Sequence, residues 1–484
     1  MQEAITIECP FPAGFLWGAA TSAYQIEGAV GADGRGESIW DRFVREPGRI
    51  DNGDTGDVAC DHYHRWREDL QLMQRLGLRS YRFSVAWPRV MPTGKEPVNK
   101  AGLDFYDRLV DGLLAAGIVP LVTLYHWDLP AALQDRGGWT HRDTAYRFRD
   151  YAAAVFQRLG DRVERWLTVN EPYVAAILGH AFGVHAPGLK DPEAALRAAH
   201  HLLLAHGLAV EAFDDLGLRS PGRPGGPARI GLAVDIHAFA PASDREADRQ
   251  AAVRAQTLEA RWFLEPVFLG RYPALGLEWY DQMGVRPPVR DGDLALVSRP
   301  IDHLGVNYYR RHVVADDPSR PLFGYRHQVP PGRPVTELEW EVYPEGLYEV
   351  LTWVRDEYLT RPVALLITEN GAAYPDVVQA ARGEAGGELV HDGEVRIRDP
   401  QRRDYIALHL YQVWRALQDG LPVEGYWVWS LMDNFEWARG YRTRFGIVYV
   451  DFDTQARIIK DSGRWYAQVC RENRLAFDPE RIRL

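Results

Sequence analysis

Ala364-Leu-Leu-Ile-Thr-Glu-Asn-Gly371 is a run of strand length that stays apolar until it delivers one carboxylate, Glu369, at the point where it stops. Unbroken apolar character is what a strand covered on both faces requires, whereas a half-exposed sheet alternates. The same grammar stands at Arg165 to Pro172, where Trp166-Leu167-Thr168-Val169 leads into Asn170-Glu171-Pro172 and places a second acid at a second strand end. Two buried strands that each end in an acid raise one question for the rest of the chain: does it close a barrel around them?

Six more runs answer it. With Arg165 to Val169 and Ala364 to Thr368, they are Phe15 to Ala20, Ser80 to Trp87, Val119 to Tyr125, Ile230 to Ile236, Ile301 to Asn307 and Gly425 to Leu431. Each is followed by a longer amphipathic or polar segment, such as Trp66 to Leu76 ending at Gly77 and Leu103 to Ala116 ending at Gly117, where glycine suits a helix C-cap. Strands alternating with helices pair in parallel through crossovers, and eight of them predict an α/β fold, a single (β/α)8 TIM barrel with long βα loops. No linker divides the chain, so residues 1–484 are expected to form one catalytic domain. The Pro- and Gly-rich Ser220 to Pro227 reads as a surface loop, as does Ala381 to Gly393.

Composition narrows the function. Of 484 residues, 46% are hydrophobic and 25% charged, and no apolar run approaches the ~18 residues of a membrane helix. The first residues carry Glu3 and Glu8 instead of a cationic segment before an apolar core, so no secretory signal is visible. Cys9, Cys60 and Cys470 are widely spaced and lack metal or redox spacing, which fits reduced thiols in the cytoplasm. A net charge of -11 argues against nucleic acid and anionic membranes as partners and favours a neutral small molecule. Sixteen Trp and twenty-three Tyr lean toward carbohydrate, whose C–H faces stack on aromatic rings.

In a barrel the carboxyl ends of all eight strands converge on one rim. Here that rim collects Gln25 and Glu27, Arg82 and Trp87, Tyr125-His126-Trp127-Asp128, Asn170-Glu171, Asn307-Tyr308-Tyr309, Glu369-Asn370, then Trp427 and Trp429 before Asp433, Glu436 and Trp437. Retaining glycoside hydrolysis needs two carboxyls with different tasks: one attacks the anomeric carbon, the other protonates the leaving oxygen. A cation such as Arg82 and a donor such as Tyr309 hold one ionised, and its negative field raises the other. These considerations leave open which acid is which. Trp427 lies two residues from Trp429 on the same strand face, so one or both could simply pack.

No metal or other cofactor is expected. Asp61-His62-Tyr63-His64 and His200-His201 with His206 lack the spacing of a hydrolytic metal site and fall in helical segments, and glycine-rich Gly31 to Gly36 lacks the Lys-Ser/Thr of a phosphate loop.

At these residues the chain resembles glycoside hydrolase family 1, the β-glucosidase family, from Phe11 to about Tyr466. The resemblance is carried by FPAGFLWGAATSAYQIEG (Phe11 to Gly28), TVNEP (Thr168 to Pro172) and ITENG (Ile367 to Gly371). It implies a retaining exo-β-glucosidase with Glu369 as nucleophile and Glu171 as general acid and then base. It further implies that Asn170 holds the sugar 2-hydroxyl, Tyr309 and Arg82 steady the nucleophile, and Asn307 supports the rim between the acids. Gln25, His126, Glu436 and Trp437 are expected to hold the terminal sugar's hydroxyls, Trp429 to form its floor with Phe445 nearby, and Trp340 to be the aglycone platform.

Departures from the family pattern bear on subclass. Asn434-Phe435-Glu436-Trp437 retains the Glu-Trp pair that relatives acting on phosphorylated sugars replace, and Glu171 stands where plant thioglucosidases carry Gln. Tyr173 follows Pro172 where many relatives have Trp. The competing readings are a 6-phospho-β-glycosidase and a catalytically silent sugar-binding barrel.

Overall fold

The computed structural model describes residues 7–320, 322–379, 395–478 and 482. All eight expected strands are present: β1 (Leu16–Ala20), β2 (Ser80–Ser84), β3 (Val119–Tyr125), β4 (Arg165–Asn170), β5 (Arg229–Asp235), β6 (His303–Asn307), β7 (Ala364–Asn370) and β8 (Val423–Trp429). They close into a barrel in sequence order, β8 returning to β1, and every neighbouring pair is parallel. Ser80 to Trp87 is the one run read substantially too long, since the strand gives way to a short helix at Trp87–Val90. Pro88 is tolerated there because the first turn of a helix has no use for its missing N–H.

Crossover helices clothe the outside. They are α1 (His62–Arg75), α2 (Lys100–Ala115), α3 (Asp143–Leu159), α4 (Pro192–Asp215), α5 (Glu246–Gln256), α6 (Trp262–Leu269), α7 (Glu345–Tyr358), α8 (Pro400–Gln418) and α9 (Asp461–Glu472). α1 and α2 start earlier than their apolar pattern predicted and stop just short of Gly77 and Gly117. α4 begins as its sequence dictates: the Asp191 carboxylate accepts from the Glu193 and Ala194 N–H groups, with Pro192 in the first turn.

Strand alternation sorts the core into two compartments. Ala20, Leu121, Leu167, Ala233, Leu366 and Trp427 fill the barrel interior, while the intervening strand residues pack against the helices in the larger outer layer. Trp427 is fully buried and its indole N–H donates to Ser80 Oγ at 3.1 Å, so it is packing.

Beyond the rim, Ala238–Pro241 and Arg311–Asp316 run on from β5 and β6 and join Tyr325–Gln328 in a three-stranded sheet. The chain ends are tied together by Ile7–Pro10 pairing with Arg474–Phe477. The loop expected at Ala381 to Gly393 lies outside the described residues. Among the described residues no helix is long and apolar enough to cross a membrane, and the three cysteines are buried and unpaired.

Candidate active site

Because β4 and β7 both stop at the same rim, Glu171 and Glu369 enter one cavity of about 950 Å³. Both are buried. Asn307, at the end of β6, lies between them: it pairs in register with Glu369 on one side and Asp235 on the other, and its amide donates to Glu171 Oε1 at 2.6 Å. Thr368 Oγ donates to the Asn307 carbonyl at 2.6 Å, which fixes the orientation of that amide.

The two acids have opposite surroundings. Glu369 accepts from Arg82 Nη1 at 2.6 Å on Oε1 and from the Tyr309 hydroxyl at 2.6 Å on Oε2. Burial pushes its carboxyl up, and Arg82 and Tyr309 pull it back down. Among the described residues, Glu171 has no cation in hydrogen-bond contact. Burial drives its carboxyl well above the usual range, and the negative fields of Glu369 and Asp235 add to the rise. One proton shared between the acids therefore resides on Glu171. The backbone of Glu171 is left-handed (φ 46°), a conformation costly for a residue with a side chain, and its N–H is held by the Ala233 carbonyl at 2.9 Å.

Asn170 links the pair to the next strand. Its carbonyl oxygen accepts from Arg82 and from Asn307. Its amide nitrogen is thereby left to donate to His126 Nε2 at 3.3 Å. Burial, with Arg82 nearby, holds His126 well below the ordinary histidine range, so its ring is neutral with the proton on Nδ1. Rings close around it: Trp429 lies 5.9 Å from His126 and Trp437 6.1 Å, both nearly parallel to the imidazole. Glu436 faces the same cavity, pushed up to about 8 by burial and then by Glu369, with the Trp429 indole holding it down. Farther out, Trp340 packs 5.5 Å from Tyr309 and 6.1 Å from Phe445, and the Arg310 guanidinium lies 4.6 Å over its ring.

Of the expected residues, Glu171, Glu369, His126, Tyr309, Trp340, Trp429, Glu436, Trp437 and Phe445 line the cavity. Arg82, Asn170 and Asn307 are fully buried beside it: Arg82 bonds Glu369, Asn307 bonds Glu171 and Asn170 bonds His126. Gln25 is also behind the wall: its amide donates to Asn434 Oδ1 and the Phe435 carbonyl, and its oxygen accepts from Ser22. It steadies the loop that carries Glu436.

The sequence reading passed over Asp235, Glu259, Arg310 and His237, which share the cavity. Asp235 had a visible signal, since β5 also ends in an acid. The histidines discounted as metal ligands are engaged elsewhere: His62 with Asp69, His200 with Tyr272 and Asp293, and His206 with Thr168.

The arrangement equips the cavity to attack an electrophilic carbon with a carboxylate while a protonated acid serves a leaving group, between aromatic surfaces suited to a neutral polyol. Residues 7–475 match Glycosyl hydrolase family 1. The chain is 48% identical to β-glucosidase A of Thermotoga maritima, over 96% of this chain and 98% of that one. It is equally similar, 48%, to the 1,4-β-D-glucan glucohydrolase of Thermotoga neapolitana, over 96% and 99%. Among solved structures, the family 1 β-glucosidase from Thermotoga maritima superposes with a TM-score of 0.88 at 47% identity, covering 96% of this chain and 99% of that one.

Proposed function

The chain belongs to glycosyl hydrolase family 1, and on that premise we propose that it is a retaining, exo-acting β-glucosidase with Glu369 as nucleophile and Glu171 as acid and base. One observation carries this reading: two buried carboxyls share a cavity, and only one of them, Glu369, is paired with a cation.

In the first step Glu369 attacks the anomeric carbon from the α face while Glu171 gives its proton to the glycosidic oxygen. The C–O bond to the aglycone breaks, the alcohol leaves, and an α-glycosyl ester forms on Glu369. Neutralising Glu369 withdraws the negative field from Glu171, now itself a carboxylate. Glu171 then takes a proton from water, the resulting hydroxide equivalent attacks C1, and the ester bond to Glu369 breaks to give a β-configured sugar. Asn170 and His126 engage sugar hydroxyls near C1, Glu436 and Trp437 those at the far side, Trp429 carries the ring, and Trp340 with Phe445 receives the aglycone. Terminal, non-reducing β-glucosyl residues of oligosaccharides and of aryl or alkyl glycosides fit this pocket.

The 6-phospho-β-glycosidase reading asks for a cation where Glu436 stands. A carboxyl there supplies no positive charge for a phosphate dianion and suits a 6-hydroxyl. A silent sugar binder has no need of an acid pair whose proton is so unevenly held. We place the protein in the cytoplasm because its three buried thiols remain unpaired. Residues 1–484 act as one catalytic barrel domain.

Proton NMR of a freshly started reaction with an aryl β-D-glucoside tests the reading. β-Glucose appearing before mutarotation is the expected result. α-Glucose first would remove Glu369 from its role, and no release from the plain glucoside together with release from its 6-phosphate would favour the phosphorylated substrate.

A further inference from the structure

In the wall of the same cavity three potential metal ligands meet. Glu259 sits on the π-helical turn Thr257–Arg261 that joins α5 to α6, and it is buried. His312 lies on the strand Arg311–Asp316 and His327 on its antiparallel neighbour Tyr325–Gln328. His312 Nδ1 is 3.1 Å from Glu259 Oε2, and His327 Nε2 is 2.9 Å from Glu259 Oε1. One donor atom from each of the three falls within 4.8 Å of the others.

We propose that Glu259, His312 and His327 bind one divalent ion of the zinc class, with a fourth position open to the cavity. Zinc–nitrogen bonds of about 2.0–2.1 Å set ligand atoms about 3.3 Å apart at a tetrahedral centre, close to the 3.1 and 2.9 Å between the imidazole nitrogens and the carboxylate, and the two stacked rings part when both bind one ion. Two imidazoles and a carboxylate form the donor set of an open zinc site, and all three residues line the cavity.

The surroundings fit. The Tyr325 hydroxyl donates to Glu259 Oε1 at 2.6 Å, the outer hydrogen bond that orients a ligating carboxylate. His312 packs against both His237 and His327, with ring centroids 4.2 and 3.9 Å apart. The plain alternative is a buried carboxylate satisfied by two imidazole N–H groups and a phenol, with no affinity for metal.

The experiment is equilibrium dialysis of the full chain against Zn²⁺ with the bound metal counted, followed by the visible spectrum of the Co²⁺ form. We expect one ion per chain and the intense d–d bands of four-coordinate cobalt. His327→Ala, at an exposed position that does not threaten folding, should weaken binding by about 100-fold or more, and Glu259→Gln should do the same. No stoichiometric uptake by the unaltered chain, or uptake that His327→Ala leaves unchanged, overturns the proposal. Neither readout depends on turnover, so the outcome is separate from the test of hydrolysis above.

Discussion

Arg82 donates from Nη1 to Oε1 of Glu369 at 2.6 Å, with only 1% and 4% of the two side chains exposed. A buried charge pair of this kind is costly to break on one side, because the remaining charge is stranded. Arg82→Gln should lower kcat by about 100- to 1000-fold. The sign of the accompanying pH change follows from Glu369 acting as the anion. Without the guanidinium its folded pKa rises, so the acidic limb of kcat/KM moves to higher pH. A pH–rate profile with an unmoved acidic limb would mean that Arg82 supports the strand ends and not the charge.

Glu171 makes its contribution as a proton donor, and the loss should scale with how much the leaving group needs that proton. Glu171→Gln is expected to slow hydrolysis of alkyl glucosides by roughly 1000-fold or more while sparing glucosides of acidic phenols. It should also remove the part of the basic limb that comes from Glu171 losing its proton. Rates across a series of aryl glucosides check both points; equal losses across the series would reassign the residue.

How much of this was legible beforehand depended on distance along the chain. Glu171 and Glu369 could be found because each closes an unbroken apolar run, and period and burial are local properties. The eight strands were legible for the same reason. What escaped was whatever depends on long-range approach. His312 and His327 lie on a small sheet of short, partly exposed strands, and nothing in their spacing places them beside Glu259 on a helical turn more than fifty residues earlier. Gln25 shows both sides: the motif marks its importance, and the packing against Asn434 and Phe435 ties it to the Glu436 loop. Asp235 carries the same local signal, a carboxylate that closes the apolar run of β5 as Glu171 and Glu369 close those of β4 and β7.

Asp128 sits just past β3 with 1% of its surface exposed, and neither carboxyl oxygen has a protein hydrogen-bond partner among the described residues. Burial pushes it up to about 8, with Arg35 opposing the rise. The folded chain thus retains a proton that the unfolded chain releases above its ordinary value near 4, and stability falls as pH rises from there to about 8. Asp128→Asn removes this dependence. Its advantage over the unaltered protein should be absent at pH near 4 and grow to about 1–3 kcal/mol by pH near 8. Calorimetric Tm values at the two pH values measure it; a variant that melts lower at both would show that the acid is bonded in a way that Asn does not reproduce.

Asp235 lies directly across from Asn307 in the barrel, on the side opposite Glu369, so three carboxyls surround one amide while only Glu369 has Arg82. Burial drives Asp235 well above its usual range, and the fields of Glu259 and Glu369 push the same way, with Arg310 opposing. Its own charge, when present, adds to the rise of Glu171. The three therefore titrate as a set, and the basic limb of the rate profile belongs to the set as a whole. Asp235→Asn keeps the shape and removes one negative neighbour, so the proton on Glu171 is released more readily. The basic limb of kcat/KM should move down by roughly half a unit to one unit, while the acidic limb, governed by Glu369 and Arg82, stays nearly in place. A limb that does not move would mean that Asp235 remains protonated throughout the active range, and burial alone would then account for the elevated acid.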